Sequence, residues 1–367
     1  MTDPGPSSHE SLRSHQVVVI RGDGIGPELI DAAMLVLDAV SQKHGEFELV
    51  FHEHEAGAGL FRKEGVSLRP ETVAAVKKAD ALFKAPVGLP DVRNADGTEA
   101  GLLGGLRVGL DTYANVRPVR LLPGIDAPIK AEPGSIDYVI VRENTEGLYL
   151  SRGKGVGTSE VMTDTMLISR KGTERIARFA FELARSRSGA PEDRRRRVTC
   201  VDKANVFAAF HWQRGIFYER AQQNDDMAAD HAYVDAFAMT MAQKPWTIDV
   251  AVTENMFGDI LSDLGGATVG GIGLCCSANI GDEHAYFEPI HGSAPTLAHL
   301  DQASPISQIL TAAMMLDHLG EVAAAESIRS AVDAVLGGGI VVLDTSGQPN
   351  RGTMAAARAV AEAIQTS

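Results

Sequence analysis

Two hydrophobic periods alternate along the chain. Apolar runs rich in β-branched residues at 16–20, 47–52, 81–85, 136–141 and 198–202 each predict a strand. Apolar residues spaced by three and four predict helices over 29–40, 70–78 and 174–185. Strands alternating with helices imply an α/β fold with a largely parallel sheet. No repeat or low-complexity linker interrupts the pattern. Two domains would therefore be tightly joined, by a chain that crosses between them twice.

The first strand runs into Gly22-Asp23-Gly24-Ile25-Gly26-Pro27-Glu28 and then a helix. The layout suggests a dinucleotide turn, but GxGxxG needs glycine at position 27, where Pro27 stands. No GxxxxGK[ST] occurs either. A Rossmann fold is thus disfavoured, and the three glycines leave a tight turn and a ligand loop equally open.

A length of 367 residues leaves room for about two domains. The net charge of −14 argues against a nucleic-acid partner, and the basic run at 194–197 reads as a solvated loop. Cys200, Cys275 and Cys276 are odd in number and suit neither a disulfide framework nor zinc ligation, which fits a reducing cytoplasm. No apolar run approaches the ~18 residues of a membrane span, and no membrane partner is expected. Residues 1–14 are polar, lack a secretory core, and read as a frayed, disordered tail.

Four clusters bear chemistry. Asp259 and Asp263 are spaced i,i+4; on a helix both carboxylates share one face, about 6 Å apart. They repel unless a cation sits between them, and hard ions such as Mg²⁺ or Mn²⁺ suit carboxylate oxygens. The plain alternative is two solvated surface acids. Arg107, Arg117 and Arg142 sit on separate elements, and the last two lie beside apolar strand residues. Guanidinium groups so placed grip carboxylates bidentately, or else form structural ion pairs. Lys203 directly follows a strand and Tyr149 lies seven residues beyond Arg142; next to a metal either can carry a proton. Taken alone, Tyr149 reads as a packed aromatic. The loop Glu288-Pro289-Ile290-His291-Gly292-Ser293-Ala294-Pro295 has small residues that would expose backbone N–H groups to a nucleotide.

In order, the chain carries GDGIGPE, YANVRPVR, VRENTEGLY, DKANV, YVDAFAM, ENMFGDILSD and FEPIHGSAP. This series resembles the β-decarboxylating dehydrogenases, the family of isopropylmalate, isocitrate, homoisocitrate and D-malate or tartrate dehydrogenases. The likeness spans about 17 to about 364. It implies an isopropylmalate dehydrogenase-like two-domain α/β fold, not a Rossmann fold. Residues 1–112 and 270–367 would form the cofactor-binding domain, and 113–269 the dimerisation and substrate domain. By resemblance, Arg107, Arg117 and Arg142 hold substrate carboxylates, and Tyr149 and Lys203 are the acid–base pair. Asp235, Asp259 and Asp263 would ligate Mg²⁺ or Mn²⁺. Lys203 and Asp235 would reach into a neighbouring subunit's site, implying a homodimer.

Glu288, His291, Gly292, Ser293, Ala294, Thr296 and Ser304 would contact the cofactor, with Asn205 near the nicotinamide. NAD is expected and NADP not excluded: Thr296 stands where NAD users carry Asp and NADP users Lys, and Arg351 could meet a 2′-phosphate. The expected reaction is oxidative decarboxylation of a (2R)-2-hydroxy acid bearing a β-carboxylate. Just before Arg107, where isocitrate enzymes place Ser and Asn, stand Gly101, Leu102, Leu103, Gly104 and Gly105. Leu102 and Leu103 suit the alkyl group of a 3-isopropylmalate-like substrate. The RPVRLLPG run looks more like the D-malate and tartrate branch. A non-catalytic subunit of the same fold is a further alternative, although no site residue is lost. Asp259→Asn is expected to weaken metal binding and leave folding largely intact.

Overall fold

In the computed structural model, which describes residues 12–102 and 104–366, twelve strands alternate with helices. The strands are β1 (Arg13–Ile20), β2 (Phe47–Glu53), β3 (Ala81–Lys84), β4 (Ala114–Arg120), β5 (Asp137–Glu143), β6 (Val156–Gly157), β7 (Met162–Thr163), β8 (Arg197–Asp202), β9 (Ala228–Tyr233), β10 (Val250–Thr253), β11 (Cys276–Ile280) and β12 (Ala285–Pro289). Ten form one sheet in the order β2-β1-β3-β12-β11-β4-β5-β10-β8-β9, and β6 pairs with β7 as a separate ribbon. Pairings on both flanks are parallel. The three central ones, β12 with β11, β11 with β4 and β4 with β5, are antiparallel. The fold is α/β with a mostly parallel sheet. The chain passes into the second half of the sheet at β4 and returns at β11, and these two strands pair with each other.

Strands inside such a sheet are covered on both faces and should read as continuous apolar runs. Residues 17–20 of β1 and all four of β10 are buried accordingly. Helices Gly26–His44, Ile306–His318, Val322–Gly337 and Thr353–Thr366 pack one core around Ile30, Val36, Ile309, Ile328 and Val360. A second core gathers Tyr138, Ile140, Phe237, Met241 and Leu261.

The expected tail through residue 14 is too long. Arg13 and Ser14 belong to β1 and pair with Phe47 and Glu48. Arg13 is held there because its guanidinium grips the buried carboxylate of Glu321 through two bonds of 2.9 Å, giving the chain an ion pair and a strand partner at once. Residues 1–11 of the expected tail lie outside the described residues.

The glycine loop is a tight turn. Gly22 and Gly24 have φ of 71° and 59°, and a Cβ on Gly24 would stand 2.0 Å from the Ser293 carbonyl oxygen. The Asp23 carboxylate ties the turn to two other segments, accepting from the Ala58, Gly59 and Gly88 amides at 2.8 Å.

The helix Asn255–Thr268 positions the site. It starts where Glu254 accepts from the Met256 and Phe257 amides at 3.0 and 2.6 Å. It then lies directly on β5: a Cβ added to Gly258 would be 2.6 Å from both Cβ and Cγ of fully buried Arg142. Gly258→Ala should therefore lift the helix or turn Arg142, costing about 1–3 kcal/mol as overpacked cores do. Urea denaturation measures this, and an unchanged midpoint would show that the helix has room to spare.

Candidate active site

Strand register explains why two arginines meet. Asn115 of β4 faces Arg142 of β5, and Arg117 lies two residues along, on the same face of the sheet as Asn115. Both guanidinium groups run under the helix Asn255–Thr268. Arg142 Nη1 donates to Asp259 Oδ1, and its Nη2 and Nε donate to Asn255 Oδ1 at 2.7 and 3.0 Å. Arg117 Nη1 lies 3.3 Å from Asp259 Oδ1 and 3.6 Å from Asp263 Oδ1, and donates to Ser262 Oγ at 2.6 Å. The helix does place both acids on one face, as the i,i+4 spacing predicts. Tyr149, on the short turn Leu148–Ser151, donates its hydroxyl to Asp259 Oδ2 under the Arg142 guanidinium, 5.0 Å from its ring centroid.

Arg107 sits on a single wide helical turn, Gly104–Val108, and faces Tyr286 and Glu288. Glu288 also holds Lys84, a buried cation that the sequence reading did not single out. Its signal was a lysine closing an apolar strand, the pattern noted for Lys203. Asn279 ties the two groups of charges together, donating to Glu288 at 3.2 Å and accepting from Asn115 at 2.9 Å; Asn115 in turn accepts from Arg117 Nε at 2.6 Å.

The charges are crowded. Burial, with Arg107 and Arg117 as neighbours, pulls Arg142 down to about 9 against the attraction of Asp259. Burial lowers Arg117 as well. Burial opposes ionisation of Asp259, yet Arg142 and Arg117 hold its carboxyl below the usual range. Asp263 is raised, by burial and by the charge of Asp259, against the pull of Arg117. Tyr149 is raised by burial and by its bond to Asp259, which keeps the proton on the phenol. Two adjacent carboxylates, one of them pushed up by the other, suit a hard cation between them.

Lys203 and Asp235 lie elsewhere, past β8 and β9, paired at 2.5 Å, the lysine half-buried and the aspartate exposed. Asn205 is exposed in the same turn. Among the described residues, no three acid, histidine or cysteine side chains of one chain converge as a metal cluster.

Arg107, Arg117, Asp259 and Glu288 line one cleft, together with Lys84, Leu102 and Arg152. Leu102 is also packed with Val18, Ile20 and Leu106; Leu103 lies outside the described residues. His291, Gly292, Ala294 and Ser304 line a second cavity with Ile25, the segment 270–274, Leu343 and the segment 345–348, which the sequence reading missed because they lie far away along the chain. Ser293 turns inward, donating to the Gly88 carbonyl, and Thr296 is exposed. His291 borders both cavities, and its buried Nε2 has no hydrogen-bond partner within the protein. An orphaned polar atom at that junction suits a polar ligand that bridges the cavities.

The family model for isocitrate/isopropylmalate dehydrogenase matches residues 16–364. A 3-isopropylmalate/3-methylmalate dehydrogenase of Methanocaldococcus jannaschii is 43% identical over 93% of this chain and 97% of its own. A probable tartrate dehydrogenase/decarboxylase of Agrobacterium vitis is 40% identical over 97% and 99%. The crystal structure of isocitrate dehydrogenase from Methylococcus capsulatus superposes with a TM-score of 0.84, at 36% identity over 96% and 99%. Fold and relatives define an oxidative decarboxylating dehydrogenase acting on CH–OH. The chain belongs to the isocitrate/isopropylmalate dehydrogenase family. Its members act on small hydroxy acids, generally need a divalent metal and NAD, and are often dimeric. Among the described residues no helix is long and apolar enough to cross a membrane.

The geometry separates two acids that the sequence treats alike. Asp259 is the counter-ion of buried Arg142, so Asp259→Asn should cost about 1–3 kcal/mol without metal; the carboxylate is partly exposed, so the loss stays below that of a fully stranded ion pair. That revises the expectation of intact folding. Asp263 is 57% exposed. Asp263→Asn should leave the metal-free melting temperature unchanged and abolish most of its rise on adding Mn²⁺. A full Mn²⁺-induced rise in that variant would remove Asp263 from the metal site.

Proposed function

We propose that the chain oxidises the hydroxyl of a malate substituted at its third carbon, passes the hydride to NAD, and releases the β-carboxylate as CO₂. The observation that carries this reading is the convergence of Arg107, Arg117, Asp259 and Glu288 on one cleft. Arg142 and Tyr149 close on Asp259 behind it.

Arg117 and Arg142 hold the substrate carboxylates and fix C2 in line with the cofactor, the part of the barrier that orientation removes. Arg107 holds the remaining carboxylate oxygen. A bound Mg²⁺ or Mn²⁺ would rest on Asp259 and Asp263, with Asp235 from a second copy, and supply Lewis acidity at the substrate oxygen. Tyr149 presents its phenolic proton to the carbon left when CO₂ departs. Lys203 from the second copy takes the hydroxyl proton. Exposed Val206, Phe207, Met239 and Ile260, on elements that also carry Lys203, Asp235 and Asp259, support a homodimer with shared sites. His291, Gly292, Ala294 and Ser304 hold the adenosine end of the cofactor, with Thr296 outside and Ser293 bracing the loop. Asn205 and Glu288 are assigned to the nicotinamide end. No acid lines the adenosine cavity among the described residues, so NADP is not repelled. The halves 1–112 with 270–367, and 113–269, are read as cofactor and substrate domains, supported by the strand order. Three buried free thiols support a reducing cytoplasm.

Leu102 and Leu106 on the cleft wall support an apolar chain at the third carbon, as in 3-isopropylmalate. The tartrate relatives favour a second reading, D-malate or tartrate. Purified protein with Mn²⁺ and either NAD or NADP should turn over 3-alkylmalates at least tenfold better, by kcat/KM, than D-malate or tartrate. The reverse order selects the second reading, and no turnover with any of them refutes the reaction class.

A further inference from the structure

The face of the sheet turned away from the cleft carries a guanidinium that touches both segments leading to site residues. Successive side chains of a strand point to opposite faces. Arg142 of β5 meets the helix Asn255–Thr268, and Glu143 meets the helix Arg170–Ser186 on the other side. Arg175 of that second helix lies 3.8 Å from Glu143 Oε1. Its Nη1 donates to both carboxylate oxygens of Asp111 at 2.8 Å, and its Nη2 donates to Thr145 Oγ1 at 2.7 Å. Thr145 in turn donates its hydroxyl to Glu143 at 2.7 Å. The guanidinium also lies over the Tyr113 ring, 4.4 Å from its centroid, which holds it flat between the two segments.

Asp111 and Thr145 stand just past the paired ends of β4 and β5, where Ala114 faces Glu143. The Asn144 amide still reaches the Tyr113 carbonyl at 2.9 Å, and its side chain reaches the Thr112 carbonyl at 3.2 Å. From there the two segments part. One runs back to Arg107: the Thr112 amide donates to the Arg107 carbonyl at 3.0 Å and the Asp111 amide to the Val108 carbonyl at 3.2 Å. The other runs on to Tyr149, and the Glu146 carbonyl on the way accepts from Asn255, the acceptor of Arg142. Asp111 has a left-handed backbone, with φ of 49°, which its surroundings must hold in place. Arg175 spans this fork.

We infer that Arg175 is a positioning residue: from behind the sheet it fixes the distance between Arg107 and the pair Arg142 and Tyr149, and so the width of the grip on the substrate. This rests on the assignment, proposed above, of those three side chains to the hydroxy acid. A strut acts only through both of its ends, so freeing either end releases the same displacement. Arg175 touches neither the cleft nor the cofactor cavity, and its effect is confined to the hydroxy acid.

The test is steady-state kinetics of the native enzyme, Asp111→Gly, Thr145→Val, the double variant and Arg175→Met, with Mn²⁺, NAD and the best hydroxy acid of the panel above. Glycine removes the carboxylate and accepts the left-handed backbone; valine removes the hydroxyl and keeps the shape. Each single variant should raise KM for the hydroxy acid at least tenfold, since a misplacement of about 1 Å is enough for that, with kcat within about threefold and KM for NAD within about twofold. The double variant should be no more than about twofold worse than the worse single one, and Arg175→Met should match it. The first three variants decide the question even where Arg175→Met fails to fold. Two independent structural contacts would multiply their effects in the double variant, or lower the active fraction and hence kcat without moving KM. Either result overturns the inference and leaves the reaction intact. A native enzyme that turns over no member of the panel overturns both.

Discussion

The contact on which everything else rests is Arg142 lying fully buried beneath the helix Asn255–Thr268. A guanidinium cannot be left there uncompensated, because an unpaired buried charge costs several kcal/mol. Asp259 and Asn255, both on the first turns of that helix, neutralise and bond it. They reach it only because residue 258 lacks a side chain and lets the helix touch β5. The same approach fixes where Asp263 points, one turn on, and where Tyr149 finds its acceptor. Fold and site are one construction here. The helix that closes a core around Leu261 on one side presents two carboxylates on the other.

The site is charged beyond its own neutralisation. Three guanidinium groups and Lys84 face Asp259, Asp263 and Glu288, leaving one positive charge in a largely buried volume. Burial, the largest cause, lowers both Arg142 and Arg117, and Arg107 and Arg117 as neighbours lower Arg142 further. Such a site is not at its electrostatic minimum when empty of substrate. It attracts a multiply charged anion and holds its own dipoles fixed beforehand, which is how preorganised sites reduce the cost of charge movement during reaction. An anionic substrate is what this balance favours, independently of any single contact.

Much of the fold was legible because a parallel sheet writes itself as apolar runs. The five strands expected from such runs are all present, as is each of the three helices. Of the five further strands of the main sheet, three escaped notice for physical reasons. β9 is an edge strand, with three of its six residues exposed and none fully buried, and so lacks an apolar run. β4 carries two arginines and a proline, and β11 buries Ser277 and Asn279 because both bond to neighbouring strands. At Arg13 and Ser14 a polar composition looked like a tail. A distant buried acid, Glu321, made it strand, and no local pattern could announce that.

The site shows the same division. Residues whose placement follows from spacing within one element were readable: Asp259 and Asp263 on one face of a helix, or the small residues of the loop at 291–295. Residues whose role comes from a neighbour across the fold were not. Lys84 acquires meaning from Glu288, some 200 positions away, and Asp23 from the amides of Ala58, Gly59 and Gly88. The stretch 101–105 makes the point most sharply. Read alone it offers only glycine and leucine, and so an apolar pocket. In the fold Arg152, which follows the turn Leu148–Ser151, borders the same wall. An apolar segment can therefore frame a polar site when another element brings a charged side chain to the same wall. The polarity of a pocket follows from the elements that converge on it and cannot be read from one lining segment.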